Sequence, residues 1–419
     1  MVNKSGKNQY KNCPPRNCPE TAKVLRDYHR RGLTNADEIA SLFAAEHSEL
    51  GTLSARSVAR RKSDLGLTGS GLTTKNLPLT VKRQLVLDQM NLDPLSRKGP
   101  NTIRENILNK TGTSLTRDFV RDEMRLHDPD GFELREPTAK KVHREQLTAL
   151  GPHHEWSADG HDKLSTIGFP IWAARDKWGS QWLGLWVLPN NRWKLAIGFL
   201  YLNLIYILGG MPFQSTTDCG SETITMFGLA VALREIFFPA VPHEELPAHR
   251  FLRSVHNITI ERGWKRLRLQ WGDNIKAFYL AGVAAYNSND VDQYNLHEWL
   301  WPKFIQQDLD ALRDEYNNHK TRYDKNKLLP SGVSPNVAMA LYPQYGVESY
   351  LIPVDRNVIL KLMADIGGED LIRFVSREFE ERAEVVYAFL GCPPLAADTI
   401  WPLFWKMLPF IRNAPDVNS

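Results

Sequence analysis

The residue pattern of the chain changes near Gly151. Before it, apolar residues recur at helical spacing between polar turns. After it, short apolar or alternating runs at residues 169–175 and 182–188 flank a turn at residues 176–180. The first pattern is typical of amphipathic helices, and the second is typical of strands in an antiparallel hairpin. We therefore expect an all-helical front followed by an α/β region.

The order of elements after Gly151 predicts a layered α/β fold. A strand at 154–159 precedes the hairpin, and a helix at 192–208, a strand at 212–217 and a helix from Ser221 to about residue 238 follow it. Three antiparallel strands, a helix, a further strand and more helices are the arrangement of a ribonuclease-H-like core. We place this core at residues 151–340 and a helical C-terminal region at 341–419. An apolar run at residues 401–410 is a candidate oligomer contact.

The helical front reads as two consecutive helix triplets. The predicted segments are a disordered terminus at 1–18, a first module at 19–67, a Gly/Thr-rich linker at 68–75, a second module at 76–127 and a turn-rich connector at 128–150. Each triplet ends in a basic helix, as in a helix-turn-helix that places one helix in the major groove of DNA. The expected DNA-contacting residues are Arg56, Arg60 and Arg61 in the first module and Arg117, Arg121 and Arg125 in the second. A small helical domain with solvated arginines is the alternative.

Charge and cysteine content fit a DNA partner in a reducing compartment. The net charge is only +4, but residues 1–150 carry 26 Lys and Arg against 18 Asp and Glu. A basic front favours approach to a polyanion. The four cysteines form no disulfide framework, and no signal segment opens the chain, so we expect an intracellular, reducing location. The apolar run at 195–208 is too short to cross a bilayer, and no membrane partner is expected.

Three carboxylates are the candidate catalytic residues. Asp159 lies in a strand between apolar residues, Asp218 ends a later strand, and Glu261 lies on a helix. An unpaired carboxylate in a strand is costly to bury, and a bound cation would remove that cost. Carboxylate oxygens suit Mg²⁺ or Mn²⁺, and phosphoryl transfer at DNA uses two such ions. We therefore expect a two-ion Mg²⁺ or Mn²⁺ site at Asp159, Asp218 and Glu261.

The helix with Glu261 has one apolar face and one charged face. Its apolar stripe is Ile260, Trp264, Leu267 and Trp271, and its charged face is Glu261, Lys265 and Arg268. The carboxylate would bind metal while the two cations meet DNA phosphates. A Glu to Lys pair four residues apart on a solvated face is the plainer reading.

Together the motifs resemble the catalytic core of the retroviral integrase and DDE transposase superfamily, especially the integrase-core proteins of eukaryotic genomes and related bacterial insertion-sequence transposases. The resemblance covers about residues 150–340, and its anchors are Trp156-Ser157-Ala158-Asp159, Thr217-Asp218-Cys219-Gly220 and Ile260-Glu261-Arg262-Gly263-Trp264. Segments 315–322 and 330–335 look like the part of the family that follows the glutamate. The interval from Asp218 to Glu261 exceeds the usual family spacing, and residues 239–250 are the expected insertion. Cys219 stands where many relatives have Asn.

The resemblance implies an activity and its partners. Asp159, Asp218 and Glu261 would be the acidic triad that holds two Mg²⁺ ions, and Lys265 and Arg268 would match DNA-contacting positions. Water would cleave a DNA strand at an element end, and the freed 3′-hydroxyl would attack target DNA. Joining two ends requires at least a homodimer, and a eukaryotic host would place the protein in the nucleus. The helical front replaces the His/His/Cys/Cys zinc module of retroviral integrases.

Two other functions are alternatives to the transposase or integrase activity, and two other carboxylates are alternatives to the three candidate residues. A domesticated, catalytically silent DNA-binding protein that retains the integrase fold is the second hypothesis. A ribonuclease acting on RNA:DNA hybrids is the third, and the DNA-binding front argues against it. Asp162 is expected to be a loop or capping residue, and Asp176 a residue of the hairpin turn.

Overall fold

The computed structural model describes residues 12–129, 131, 148–252 and 258–413. Contacts divide the chain into two compact units. The helical unit comprises the described parts of Met1–Glu145 and Asn317–Val347, and the sheet unit comprises those of Gln146–Tyr316 and Glu348–Ser419. The predicted segments 1–18 and 128–150 lie partly outside the described residues.

The first helix triplet forms as predicted. Helices α1 (Pro19–Arg30), α2 (Ala36–Glu46) and α3 (Ala55–Asp64) surround a core that includes Leu42 and Phe43. The Asn35 side chain accepts hydrogen bonds from the first turn of α2, and Ser54 accepts one from Ser57 in α3. These caps satisfy backbone N–H groups that have no partner within the helix.

The second triplet has an extra helix before it. The predicted linker 68–75 is wrong, because Ser70–Asn76 forms helix α4, where the Thr73 hydroxyl bonds to the carbonyl of Gly69. Helices α5 (Leu79–Asn91), α6 (Pro100–Thr111) and α7 (Arg117–His127) follow. Their shared core is Val86, Ile103, Ile107, Leu115, Val120 and Met124. Gly112 ends α6 with a φ of 74°, a left-handed conformation that glycine adopts without strain.

The sheet unit is built on a mixed five-stranded sheet. Its strands are β1 (Glu155–His161), β2 (Ile171–Asp176), β3 (Trp182–Val187), β5 (Gln214–Asp218) and β6 (His249–Leu252), and a two-residue strand, β4 (Gly210–Met211), lies outside it. The order is β3-β2-β1-β5-β6. Neighbours β1, β2 and β3 run antiparallel, while β5 is parallel to both β1 and β6. The predicted α/β class is confirmed, and this topology is compatible with a ribonuclease-H-like core.

Strand β6 was not predicted from the sequence. It begins inside the segment read as an irregular insertion at 239–250. The buried ring of His249 hydrogen-bonds through Nδ1 to the Ser215 hydroxyl (2.8 Å) and through Nε2 to the Thr217 hydroxyl (3.0 Å). This ring fastens β6 to β5, so part of the supposed insertion is the fifth strand of the sheet.

Apolar layers cover both faces of the sheet. Along β2, Ile171 and Ala173 belong to one buried cluster while Trp172 and Ala174 belong to another, as strand alternation requires. Helices α8 (Lys194–Leu208) and α9 (Ile224–Phe237) contribute to the second cluster. Helices α10 (Ile258–Leu267) and α11 (Asp273–Gly282), joined by a π-helical turn at Arg268–Gly272, contribute to the first.

The chain then passes through both units. Helix α12 (Val291–Asn318) is followed by α13 (Pro335–Ala340), whose Val337 joins the core of α1 to α3 in the helical unit. Strand β7 (Ile352–Pro353) pairs with β4, and α14 (Arg356–Asp365), α15 (Arg377–Phe389) and α16 (Ile400–Asn413) complete the sheet unit. Trp401, Phe404 and Met407 are buried in the sheet unit. These side chains are core, so this part of the candidate oligomer contact at 401–410 is not a surface.

None of the helices in the described ranges is both long and apolar enough to cross a membrane.

Candidate functional site

Asp159 and Asp218 lie on neighbouring central strands. Asp159 is the fifth residue of β1 and stands opposite Ala173 of β2. The parallel register of β1 and β5 pairs Ser157 with Thr216. Two residues further along both strands, the same register leads to Asp159 and to Asp218, the last residue of β5. The sequence-predicted aspartates therefore meet at one end of the sheet, where α/β folds place ligands.

Helix α10 brings Glu261 to the same region. The Trp264 indole N–H donates to Asp159 Oδ2 at 3.0 Å, and Glu261 precedes Trp264 by about one helical turn. A Cβ atom added to Gly263 would lie 2.3 Å from the Trp182 ring, so only glycine allows this close approach of helix and sheet. The half-buried Arg175 guanidinium donates to the Thr259 carbonyl at 2.8 Å and fixes the start of the helix. These contacts connect Glu261 to the strand that carries Asp159.

The three carboxylates interact electrostatically. Burial raises the pKa of Asp159 to about 7, and the negative charges of Asp218 and Glu261 raise it as well, against the lowering effect of hydrogen bonds from Trp264 and Gly160. Glu261 is exposed, while Asp159 and Asp218 are half-buried. A carboxyl with a pKa shifted by burial and by like charges is a frequent feature of functional sites.

The donor chemistry fits a hard divalent cation, although the side chains do not converge as a ligand set. Both Asp159 oxygens accept hydrogen bonds, Oδ1 from the Gly160 N–H at 2.9 Å and Oδ2 from Trp264. Across the described ranges, no group of three or more His, Cys, Asp or Glu side chains is placed to hold a metal ion. The residues that could hold Mg²⁺ or Mn²⁺ are Asp159, Asp218 and Glu261, and each Asp159 oxygen keeps a lone pair beyond its one hydrogen bond.

Trp264 has a role that the sequence pattern did not reveal. Periodicity placed it in the buried stripe of its helix, and it is indeed only 4% exposed. Its ring also stacks on His161, with centroids 4.6 Å apart and planes inclined by 13°. Burial lowers the pKa of His161 to about 4, so this ring is neutral at physiological pH. Trp264 therefore links the two polar residues at the end of β1.

The competing carboxylates have structural roles. Asp162 accepts from the Asn191 side chain at 2.8 Å and pairs with Arg192 at 2.9 Å. Asp176 accepts from the backbone N–H groups of Gly179 and His153 at the hairpin turn. The role of Asp176 agrees with its prediction, whereas Asp162 begins a 3-10 helix (Asp162–Ile167) and pairs with side chains instead of capping a helix.

The two cations predicted to contact DNA beside Glu261 differ in exposure. Lys265 is exposed, whereas Arg268 is half-buried at the π-helical turn. The Nε atom of Arg268 is buried, and it finds no hydrogen-bond partner in the described part of the chain. Of the two, Lys265 is the better placed to meet a phosphate.

The first module presents two of its three predicted arginines. Arg56 and Arg60 are exposed on α3. Arg61 is only 6% exposed and donates to the carbonyls of Pro14 at 2.6 Å and Pro15 at 2.8 Å. The assignment of Arg61 to a DNA surface does not fit this burial, because its guanidinium holds the segment before α1 against α3.

The second module presents a partly neutralised stripe. Arg117 and Arg125 are exposed on α7. Arg121 lies between two carboxylates, 2.9 Å from Asp118 and 3.0 Å from Asp122. A phosphate at Arg121 would have to compete with both acids.

Comparison with known proteins yields no family match: no protein-family model matches the chain, and no curated protein shows significant similarity to it.

Proposed function

We propose that this protein is a DDE-type polynucleotidyl transferase that cleaves and joins DNA strands with Mg²⁺ or Mn²⁺. The observation that carries the proposal is the electrostatic coupling of Asp159 to Asp218 and Glu261, three carboxylates separated in sequence and brought to one end of a mixed sheet. The sheet order, which is compatible with a ribonuclease-H-like core, supports it. So does the resemblance of the three motifs to the integrase and transposase superfamily.

Each residue has a distinct part in this proposal. Asp159, Asp218 and Glu261 would hold two divalent ions, whose charge would stabilise the phosphodiester transition state and activate the attacking oxygen. Trp264 orients the Asp159 carboxylate through its N–H, and the sheet holds Asp159 and Asp218 on adjacent strands. Lys265 would bind a phosphate of the DNA backbone.

The helical unit would bind the DNA. We propose that α3 and α7 are helix-turn-helix recognition helices, with Arg56, Arg60, Arg117 and Arg125 at the phosphates. Both element ends and target DNA would be partners. Strand transfer would require at least a homodimer, and a eukaryotic host would place the reaction in the nucleus.

The test is nicking of supercoiled plasmid by the full-length protein with Mg²⁺ or Mn²⁺. We expect Asp159→Asn and Glu261→Gln to lose nicking, while Asp162→Asn retains it because Asp162 is paired with Arg192. DNA binding without metal should be equal in all four proteins. Nicking by Asp159→Asn at the wild-type rate would overturn the proposed activity.

A catalytically silent DNA-binding protein is the second candidate. Both Asp159 oxygens accept hydrogen bonds within the protein, an arrangement that a silent protein would keep. In that case the wild-type protein would bind DNA and fail to nick any substrate with either ion.

A further inference from the structure

The helical unit carries a second basic element besides its helices. Residues 320–333, here called the basic loop, connect α12 to α13. At its start, His319 Nδ1 lies 2.5 Å from Glu105 Oε2 on α6. Beyond its end, Val337 and Leu341 pack into the core of α1 to α3. The loop is therefore fixed at both ends to the helical unit.

Internal hydrogen bonds give the basic loop a defined shape. The Thr321 N–H and hydroxyl both donate to the Val333 carbonyl, at 3.1 and 2.9 Å. Across the middle, the Ser331 hydroxyl accepts from the Asp324 N–H at 3.1 Å and donates to its carbonyl at 3.2 Å. Leu329, within the loop, is buried. Compact loops with close ends, packed by their own side chains, are frequently functional.

The outer part of the basic loop is wholly exposed and strongly positive. Every residue from 322 to 328 is exposed. This part contains the cations Arg322, Lys325 and Lys327, and the exposed Lys320 precedes it. Asp324 is the single acid among these residues. That acid is used within the loop, where it accepts from the Asn326 N–H at 3.0 Å.

Tyr323 stands among these cations with 72% of its surface in water. Its Cβ lies beside Gly332, where an added Cβ would be 3.0 Å away and where φ is 75°. The backbone under the ring is thus anchored although the ring itself is uncovered. An exposed aromatic flanked by cations is the combination that binds a nucleic-acid strand by base stacking and phosphate contact.

We propose that the basic loop binds an unpaired DNA strand, with Tyr323 stacked on a base and the neighbouring cations at the phosphates. The choice of DNA rests on the proposed function; the choice of an unpaired strand rests on the ring, because bases in an intact duplex are already stacked on one another. The site belongs to the helical unit and uses none of the three carboxylates.

The experiment measures binding by fluorescence anisotropy, with the full-length protein in chelator. The probe is one labelled oligonucleotide, offered as a single strand and as its duplex. We expect Tyr323→Ala to bind the single strand about tenfold more weakly. Tyr323→Phe should retain wild-type affinity, and the duplex affinity of both variants should be unchanged.

Two further variants separate stacking from charge. Tyr345→Ala removes another exposed tyrosine of the helical unit and should behave as wild type. The double variant Arg322→Gln, Lys325→Gln should reduce the salt dependence of single-strand binding, by about 0.7 in the log–log slope for each phosphate that the loop no longer neutralises. Unfolding temperatures should match wild type, since all of these side chains are exposed.

Wild-type single-strand affinity in Tyr323→Ala, or equal losses for single strand and duplex, would overturn the stacking proposal. These outcomes are independent of the proposed reaction. A wild-type protein that never nicks DNA but depends on Tyr323 for single-strand binding would refute the activity and support the loop. If the wild-type protein nicks DNA and Tyr323→Ala keeps wild-type affinity for the single strand, the activity is supported and the loop proposal is refuted.

Discussion

At the scale of single residues, Asp159 is a carboxyl whose burial opposes its charge. Its pKa of about 7 in the folded protein exceeds the ordinary value of 3.8, so the folded state holds the proton more tightly than the unfolded state. The stability that the protonated Asp159 carboxyl contributes is therefore complete below about pH 3.8, and it is lost as the pH rises through 7. The metal-free protein contains a destabilising charge at alkaline pH.

Asp159→Asn should consequently stabilise the metal-free protein, although the proposed function predicts that it abolishes nicking. We expect a gain of about 1–2 kcal/mol in the free energy of unfolding at pH 8 and a smaller gain at pH 5. Urea unfolding in chelator at both pH values measures it. A variant that is less stable than wild type at pH 8 would show that Asp159 is held as a favourable, paired charge.

Adjacent arginines on α3 should separate binding from stability. Arg60→Ala should weaken DNA binding and leave the unfolding temperature unchanged, because Arg60 is exposed. Arg61→Met should lower the stability of the helical unit by about 1–3 kcal/mol, because the carbonyls of Pro14 and Pro15 lose their donor. Anisotropy and thermal unfolding of both variants provide the comparison. Equal loss of DNA affinity in both, with unchanged stability, would restore Arg61 to the DNA surface.

At the scale of elements, the approach of α10 to the sheet depends on Gly263. Gly263→Ala would press a methyl group into the Trp182 ring, and overpacking of this kind costs about 1–3 kcal/mol. It should also reduce nicking, because α10 carries Glu261 and Trp264. Gly228→Ala on α9 is the matched control: no atom lies within 4 Å of its added Cβ, so this exposed helical site should gain about 0.5–1 kcal/mol. Chemical denaturation of both variants measures these changes, and a neutral Gly263→Ala would contradict the close packing.

Local sequence patterns predicted most helices and strands. The features that they did not predict depend on contacts between residues far apart in the chain. The stripe Ile260, Trp264, Leu267 and Trp271 is buried as its periodicity indicates, because helical spacing is a local property. Strand β6 has only four residues and depends on His249 bonds to β5, more than 30 residues earlier. The bond from Trp264 to Asp159 joins residues 105 apart, a contact that spacing cannot reveal.

At the scale of the whole molecule, the predicted order of a helical front and an α/β region is correct, but the chain is divided differently from the predicted segments. Residues 317–347 belong to the helical unit, and residues from Glu348 onward belong to the sheet unit. No composition shift marks residue 317, because it lies inside the continuous helix α12. The predicted division into regions 151–340 and 341–419 was based on the positions of the motifs. Those positions do not show that the chain enters the helical unit at residue 317 and re-enters the sheet unit at residue 348.

The proposed function requires that Asp159, Asp218 and Glu261 form a divalent-metal site. Calorimetric titration of Mn²⁺ into the full-length protein tests it most directly, with Asp218→Asn as the test variant and Asp162→Asn as the control. We expect wild type and Asp162→Asn to bind Mn²⁺ and Asp218→Asn to lose binding. Equal binding by wild type and Asp218→Asn, or no binding by wild type with DNA present, would contradict the claim.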